Sequence, residues 1–147
     1  YSILDRTIEK NGLKDFARED GMGVICFSPL AQGMLSEKYL KGIPSDSRIA
    51  KDGRFLHADD IKPEKMEGIR RLDEIAKRRG QTLPQMALAW DLRDPEITSV
   101  LIGASKPQQI LENLGTIENT SFSAEELREI DEIQASIAGE LDARRQV

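Results

Sequence analysis

Three features of the sequence predict an α/β fold built on a parallel sheet. Two short apolar runs, residues 22–28 and 98–102, carry Val, Ile, Leu and Phe and read as buried strands. Two helical patterns, residues 63–79 and the stretch opening near Thr82, lie between them, and a helical crossover makes the pairing parallel. The second run passes without a gap into Gly103-Ala104-Ser105 and then Pro107, the order strand, turn, helix. Parallel sheets are normally covered on both faces and hold more than two strands. A lone pair would leave ladder groups and one apolar face without partners. The sequence therefore reads as part of a larger closed sheet. The remainder would sit on a separate polypeptide, have been lost, or be supplied by further copies of this chain. The opening Tyr1-Ser2-Ile3-Leu4, with no initiating Met, reads as the continuation of something longer.

The elements follow in order. Residues 12–20 place Leu13 and Phe16 at helical spacing, and Gly21 is a stop, being free to adopt positive φ. Pro29 ends the first strand because it cannot donate to a ladder. Residues 30–40 hold one or two helical turns. Residues 42–60 are rich in Gly, Pro, Ser and Asp without a period, a long connection of the kind that carries function or mobility. Residues 63–79 form an amphipathic helix with Met66, Ile69, Leu72, Ile75 and Ala76 on one face and Gly80 as its stop. The helix from Thr82 has Pro84 in its first turn and buries Met86, Ala87, Leu88 and Trp90. A helix over residues 108–117 follows the second strand. Ser123-Ala124-Glu125-Glu126 is a capping box opening a last helix that runs to about Ala138. Residues 139–147 are a charged tail that frays. The whole, residues 1–147, is one partial domain.

Acidic residues outnumber basic ones, 26 to 21, for a net charge of −5. Apart from Arg70-Arg71 and Arg78-Arg79 the basic residues are dispersed, which argues against a nucleic-acid partner. No apolar stretch has the length of a membrane span. One cysteine, Cys26, makes no internal disulfide and fits a reducing, cytoplasmic setting; beside Phe27 in a strand it reads as a buried, inert thiol. One cysteine and one histidine, His57, assemble neither a zinc site nor a nucleophilic triad.

The chemistry concentrates in two segments. Ile102-Gly103-Ala104-Ser105-Lys106-Pro107 through Asn113 brings backbone N–H groups, a hydroxyl and an ammonium to one helix start, a combination that suits a phosphate. The second segment runs from Cys26 to Tyr39 and contains Ser28-Pro29-Leu30-Ala31-Gln32-Gly33. Together they resemble the last two βα units of the aldo-keto reductases. The branch with the potassium-channel β-subunits and their bacterial relatives is the nearest, having a similar Ser-Pro-Leu-Ala-x-Gly run and a Gly-Ala-Ser-x-x-x-Gln-x-x-Glu-Asn run. The resemblance covers about Ser2 to Ile137 and implies the C-terminal part of a (β/α)8 TIM barrel, meaning the last two βα units plus the C-terminal helix, incomplete as a closed barrel.

The resemblance implies an NADP (NADPH) cofactor and a small-molecule carbonyl substrate. By it, Phe27 stacks on the nicotinamide, where many relatives have Tyr or Trp. Ser28, Pro29, Leu30, Ala31 and Gln32 pass over the pyrophosphate, and Lys38 and Arg48 face the phosphates. Gly103, Ser105, Lys106, Gln109, Glu112 and Asn113 hold the adenosine end, with Ser105 and Lys106 at the 2′-phosphate. Gln109 stands where many family members have Arg, which removes a fixed positive charge there. The family's Tyr, Lys, Asp and His belong to the earlier part of the barrel; neither Tyr1 nor Tyr39 matches the acid, and His57 reads as a loop residue. The expectation is thus no catalytic residue and no metal in this chain. It would be the cofactor-binding part of an aldehyde or ketone reductase, inactive alone and completed by the N-terminal part of the barrel. The alternatives are an NADP(H)-sensing module without turnover and a self-associating assembly piece that forms homo-oligomers.

Overall fold

The computed structural model describes residues 1–40, 42 and 61–145. Contacts divide the chain into two compact units. The first comprises Tyr1–Ala31 and Pro84–Phe122; the second comprises Gln32–Leu83 and Ser123–Val147.

In the first unit a short helix, α1 (Leu13–Glu19), precedes strand β1 (Val24–Cys26). Gly21 at φ 65° closes α1: its N–H bonds to Arg18 O and the Met22 N–H to Ala17 O, so two end carbonyls are satisfied by a residue in the left-handed region. Helix α3 (Leu83–Leu92) enters the unit from Pro84 and leads to strand β2 (Ile97–Val100). Met86, Ala87, Leu88, Ala89 and Trp90 are all buried, so α3 is apolar around its circumference here and serves as the core of the unit. The two strands pair in parallel, Val24 with Ile97, Ile25 with Ser99 and Cys26 with Val100. Among the described residues the sheet has these two strands alone. Gly23 permits the close start of that pairing, since a Cβ there would stand 2.6 Å from Thr98 Oγ1. Helix α4 (Pro107–Leu114) follows β2 and tightens into a 3-10 turn over Gly115–Glu118.

Both strands are shorter than the apolar runs that announce them. Cys26 is buried as expected, but Ile25 is 61% exposed and Phe27 72%. Alternate residues of a strand face opposite sides, and one side of this pair is bare. Ile110, Leu111 and Leu114 of α4, and Ile117 after it, are also exposed. The burial expected for the first run is met on one face only.

The second unit is built on α2 (Pro63–Arg78) and the last helix, α5 (Ala124–Arg145). The face of α2 read from the sequence, Met66, Ile69, Leu72, Ile75 and Ala76, is buried, as are Ile130, Ile133 and Ile137 of α5. Gly68 lets α2 and α5 approach: a Cβ there would lie 2.5 Å from Ile137 Cδ1. The capping box forms as expected. Ser123 N–H donates to Glu126 Oε2 at 2.7 Å and Glu126 N–H to Ser123 Oγ at 3.1 Å. Arg79, almost wholly buried, adds an ion pair to Glu126 at 2.9 Å, tying the end of α2 to the start of α5. Gly80 at φ 68° stops α2 with the same two-bond motif as Gly21, through Gly80 N–H to Lys77 O and Gln81 N–H to Ala76 O. The backbone of α5 stays helical to Arg145, beyond the end expected near Ala138. Residues 30–40 hold two single 3-10 turns, Ala31–Gly33 and Glu37–Tyr39. No helix among the described residues is long and apolar enough to cross a membrane.

Candidate functional site

The parallel pairing puts the C-terminal ends of β1 and β2 side by side. Leu101 N–H donates to Cys26 O at 2.8 Å, so the ladder persists to the last residue of β1 and both following segments leave the same edge of the sheet. That is the juxtaposition the sequence reading requires: the chain resumes at Phe27 from one strand and at Leu101 from its neighbour.

The segment after β1 turns sharply. Ser28, Ala31 and Gln32 all have left-handed φ, at 55°, 46° and 59°, and none is glycine. Each such residue costs roughly 1 kcal/mol or more, and strain of this kind collects at ligand-holding turns. Ala31 N–H donates to Ser28 O at 2.9 Å, closing the turn. Phe27 presents its ring to solvent, Ser28, Leu30 and Ala31 are half-buried, and Pro29 is buried, so Pro29 offers backbone rather than side chain. Cys26 is buried, and burial above all pushes its thiol up, against the lowering influence of the Tyr1 amino group, so a reactive thiolate is disfavoured.

The segment after β2 exposes Gly103, Ser105, Lys106, Gln109 and Glu112, with Asn113 half-buried. The structure differs from the sequence reading in one respect. The N–H groups of Ser105 and Lys106 are not free. Gln109 folds back, and its Oε1 accepts from Ser105 N at 2.8 Å, Ser105 Oγ at 3.1 Å and Lys106 N at 3.1 Å. A Gln at the third helical position capping its own helix start is the reason. An amide oxygen thus occupies the place where an anion oxygen would bond. Gln85 Nε2, on α3, donates to Glu112 O at 2.7 Å and ties the last turn of α4 to α3.

Gln32 and Lys38 belong to the second unit. Lys38 is exposed, and its N–H donates to Ser36 Oγ at 3.4 Å, which caps the Glu37–Tyr39 turn. Arg48, His57 and the connection over residues 43–60 lie outside the described residues, as do residues 146 and 147 of the tail. Tyr39 is buried in the second unit, and the Tyr1 hydroxyl is engaged with Glu9 and Arg93, with burial and then the Glu9 bond pushing its ionisation well above the ordinary range.

A cluster that the sequence did not announce surrounds Trp90. The Arg93 guanidinium lies 3.7 Å from the centre of its ring, Arg6 lies 4.5 Å from it, and the Tyr1 ring packs at 5.2 Å. Asp91 follows it, fully buried. The one signal that points to Asp91 is an acidic residue directly after the apolar run Met86–Trp90.

The aldo/keto reductase family model matches residues 1–135. The L-glyceraldehyde 3-phosphate reductases of Escherichia coli O157:H7 and of Escherichia coli strain K12 are each 45% identical over 135 residues, covering 90% of this chain and 39% of theirs. A putative voltage-gated potassium channel subunit beta of Schizosaccharomyces pombe is 35% identical, covering 99% of this chain and 43% of that protein. A crystal structure of a thermostable aldo-keto reductase with the inhibitor epalrestat matches with a TM-score of 0.61 at 28% identity, over 90% of this chain and 37% of that one. The chain thus spans about two fifths of the length of the relatives it matches.

Proposed function

The chain belongs to the aldo/keto reductase family, and from that premise we propose that it is the C-terminal, cofactor-holding part of an NADP-dependent reductase of aldehydes or ketones. Its fold is a part of the family's (β/α)8 barrel with an open sheet. The observation that carries the proposal is the shared edge of β1 and β2. It sends the strained turn at Phe27–Ala31 and the helix start at Gly103–Asn113 out of one end of a parallel sheet, the end at which (β/α)8 enzymes bind their ligands.

The residues fit a dinucleotide in type. Phe27 offers a flat, exposed apolar face for a nicotinamide ring. The backbone of Ser28–Ala31 is held in a tight turn of the kind that approaches a pyrophosphate. Ser105 and Lys106 offer a hydroxyl and an ammonium at the start of α4, with Glu112 and Asn113 one turn on for the adenine edge. A 2′-phosphate would have to displace Gln109 Oε1 from the Ser105 and Lys106 N–H groups. Gln32, Lys38 and Arg48 enter the proposal through the resemblance alone. The chemistry such a cofactor supplies when bound is a hydride for the substrate carbonyl. The chain's own work is binding, orientation and the exclusion of water from one side of the ring.

The proton donor would come from the preceding part of the barrel, which would also cover the bare sheet face at Ile25 and leave Phe27 to the cofactor. The names of the Escherichia coli relatives favour a short phosphorylated aldehyde as substrate. Measuring NADPH oxidation with glyceraldehyde 3-phosphate tests this. The chain alone should be inactive, and the chain joined to the preceding part of the Escherichia coli enzyme should turn over. Absence of turnover in the joined protein, when correctly folded, would overturn the reading. The likeness to a channel β-subunit favours a second reading, NADP(H) sensing without turnover, in which the joined protein binds NADPH tightly but reduces no carbonyl.

A further inference from the structure

Asp91 is the one acidic residue in a buried stretch of α3 that is otherwise apolar from Met86 to Trp90. Its side chain is fully buried, and neither carboxyl oxygen has a hydrogen-bond partner among the described residues. The charged and titratable groups acting on it or on its surroundings are the Tyr1 amino group, Arg93 and Glu9, with Cys26 on β1 and, one turn on, Asp94, whose N–H donates to Asp91 O at 3.4 Å. None of them bonds to its carboxyl oxygens. Arg93 is stacked on the Trp90 ring, donates to Trp90 O, and reaches the Tyr1 hydroxyl at 3.5 Å and Glu9 at 3.8 Å. Arg6 lies on the same ring. Glu9 repels a second negative charge. An unpartnered carboxylate in this setting is far less stable than the neutral acid.

We propose that Asp91 is a proton-dependent latch of the first unit: as the neutral acid it lets the last turn of α3 stay buried beside β1, and as the carboxylate it drives that turn toward water. Burial above all, with Glu9 adding to it, pushes the Asp91 carboxyl up to about 8, against the lowering influence of the Tyr1 amino group and Arg93. The folded-state value is above the unfolded one. The stabilisation is therefore complete below the ordinary aspartate range and is lost as pH rises through the folded value. The latch holds in acid and slackens in mild alkali. This inference does not depend on the cofactor reading, since it concerns the packing of α3 alone.

Trp90 is the single tryptophan and the immediate neighbour of Asp91, so it reports on the latch directly. The fluorescence of the full 147-residue chain, followed from pH 5 to pH 10, should show a reversible transition near pH 8 that is absent in Asp91→Asn and in Asp91→Leu. Nα-acetylation of Tyr1 removes a charge that favours the carboxylate, so it should move the transition to higher pH and not abolish it. Side-chain carboxyl NMR of the unsubstituted chain should show Asp91 titrating near pH 8, and this holds the test open even where the variants do not fold. Titration of Asp91 near pH 4, survival of the transition in Asp91→Asn, or its loss on acetylation would each overturn the proposal.

Discussion

Replacing Gln109 with alanine separates two roles for that side chain, as a ligand of the cofactor and as a stand-in for it. Gln109 Oε1 accepts from Ser105 N, Ser105 Oγ and Lys106 N, all exposed, so water replaces it in the variant. The loss is that of a helix cap, about 1 kcal/mol, or roughly 4 °C in Tm for a chain of this size. The same oxygen competes with a 2′-phosphate for two N–H groups. Removing it relieves binding by about the same amount, roughly a fivefold gain in affinity. The gain belongs to NADPH alone, because NADH has no phosphate there. Calorimetric titration of Gln109→Ala and the unsubstituted protein with both nucleotides, beside thermal unfolding without nucleotide, reads both effects. Weaker binding of NADPH in the variant, or equal changes for NADPH and NADH, would refute the argument and make Gln109 a ligand.

Three further outcomes are expected. Phe27→Ala should leave stability within about 0.5 kcal/mol, since the ring is exposed, while NADPH affinity falls about tenfold; a large loss of Tm would place the ring in the core instead. Gly23→Ala should destabilise by about 1–3 kcal/mol in urea, because the new Cβ meets Thr98 Oγ1 at 2.6 Å, and Thr98→Ala should restore much of the loss. Desolvation acts upward on the Glu126 carboxyl, but the Ser123 N–H and the Arg79 guanidinium outweigh it and hold the group below its ordinary range. Its stabilisation is therefore present above the ordinary glutamate range and lost as pH falls through the depressed value. Glu126→Gln should cost about 1 kcal/mol at pH 7 and flatten the acid limb of an unfolding curve.

What could be read from the sequence is what local rules dictate. Gly21 and Gly80 stop helices because few other residues take positive φ, and both do so. Ser123 and Glu126 announce a helix start because they satisfy each other's N–H groups. The face Met66-Ile69-Leu72-Ile75-Ala76 declares itself by period. The two strands pair in parallel because helices separate them. The remainder depended on neighbours. Ser28, Ala31 and Gln32 carry no sequence mark of a left-handed backbone, since their conformation is imposed by the turn. Gln109 looks like a free side chain until it is seen folded on its own helix start. Its position three residues past Lys106 was the signal, and the phosphate reading of the same turn obscured it. The exposure of Ile25 and Phe27 was unreadable because apolar strands look alike whether covered or bare. Asp91 was legible only as an acid at the end of an apolar run.

The central claim is that the segments leaving β1 and β2 seat one dinucleotide. Backbone NMR of the labelled chain titrated with NADPH tests it most directly. The account predicts that Phe27–Ala31 and Gly103–Asn113 shift together along one saturation curve while α2 and α5 stay unmoved. Shifts confined to one of the two segments, or to α2 and α5, would contradict it.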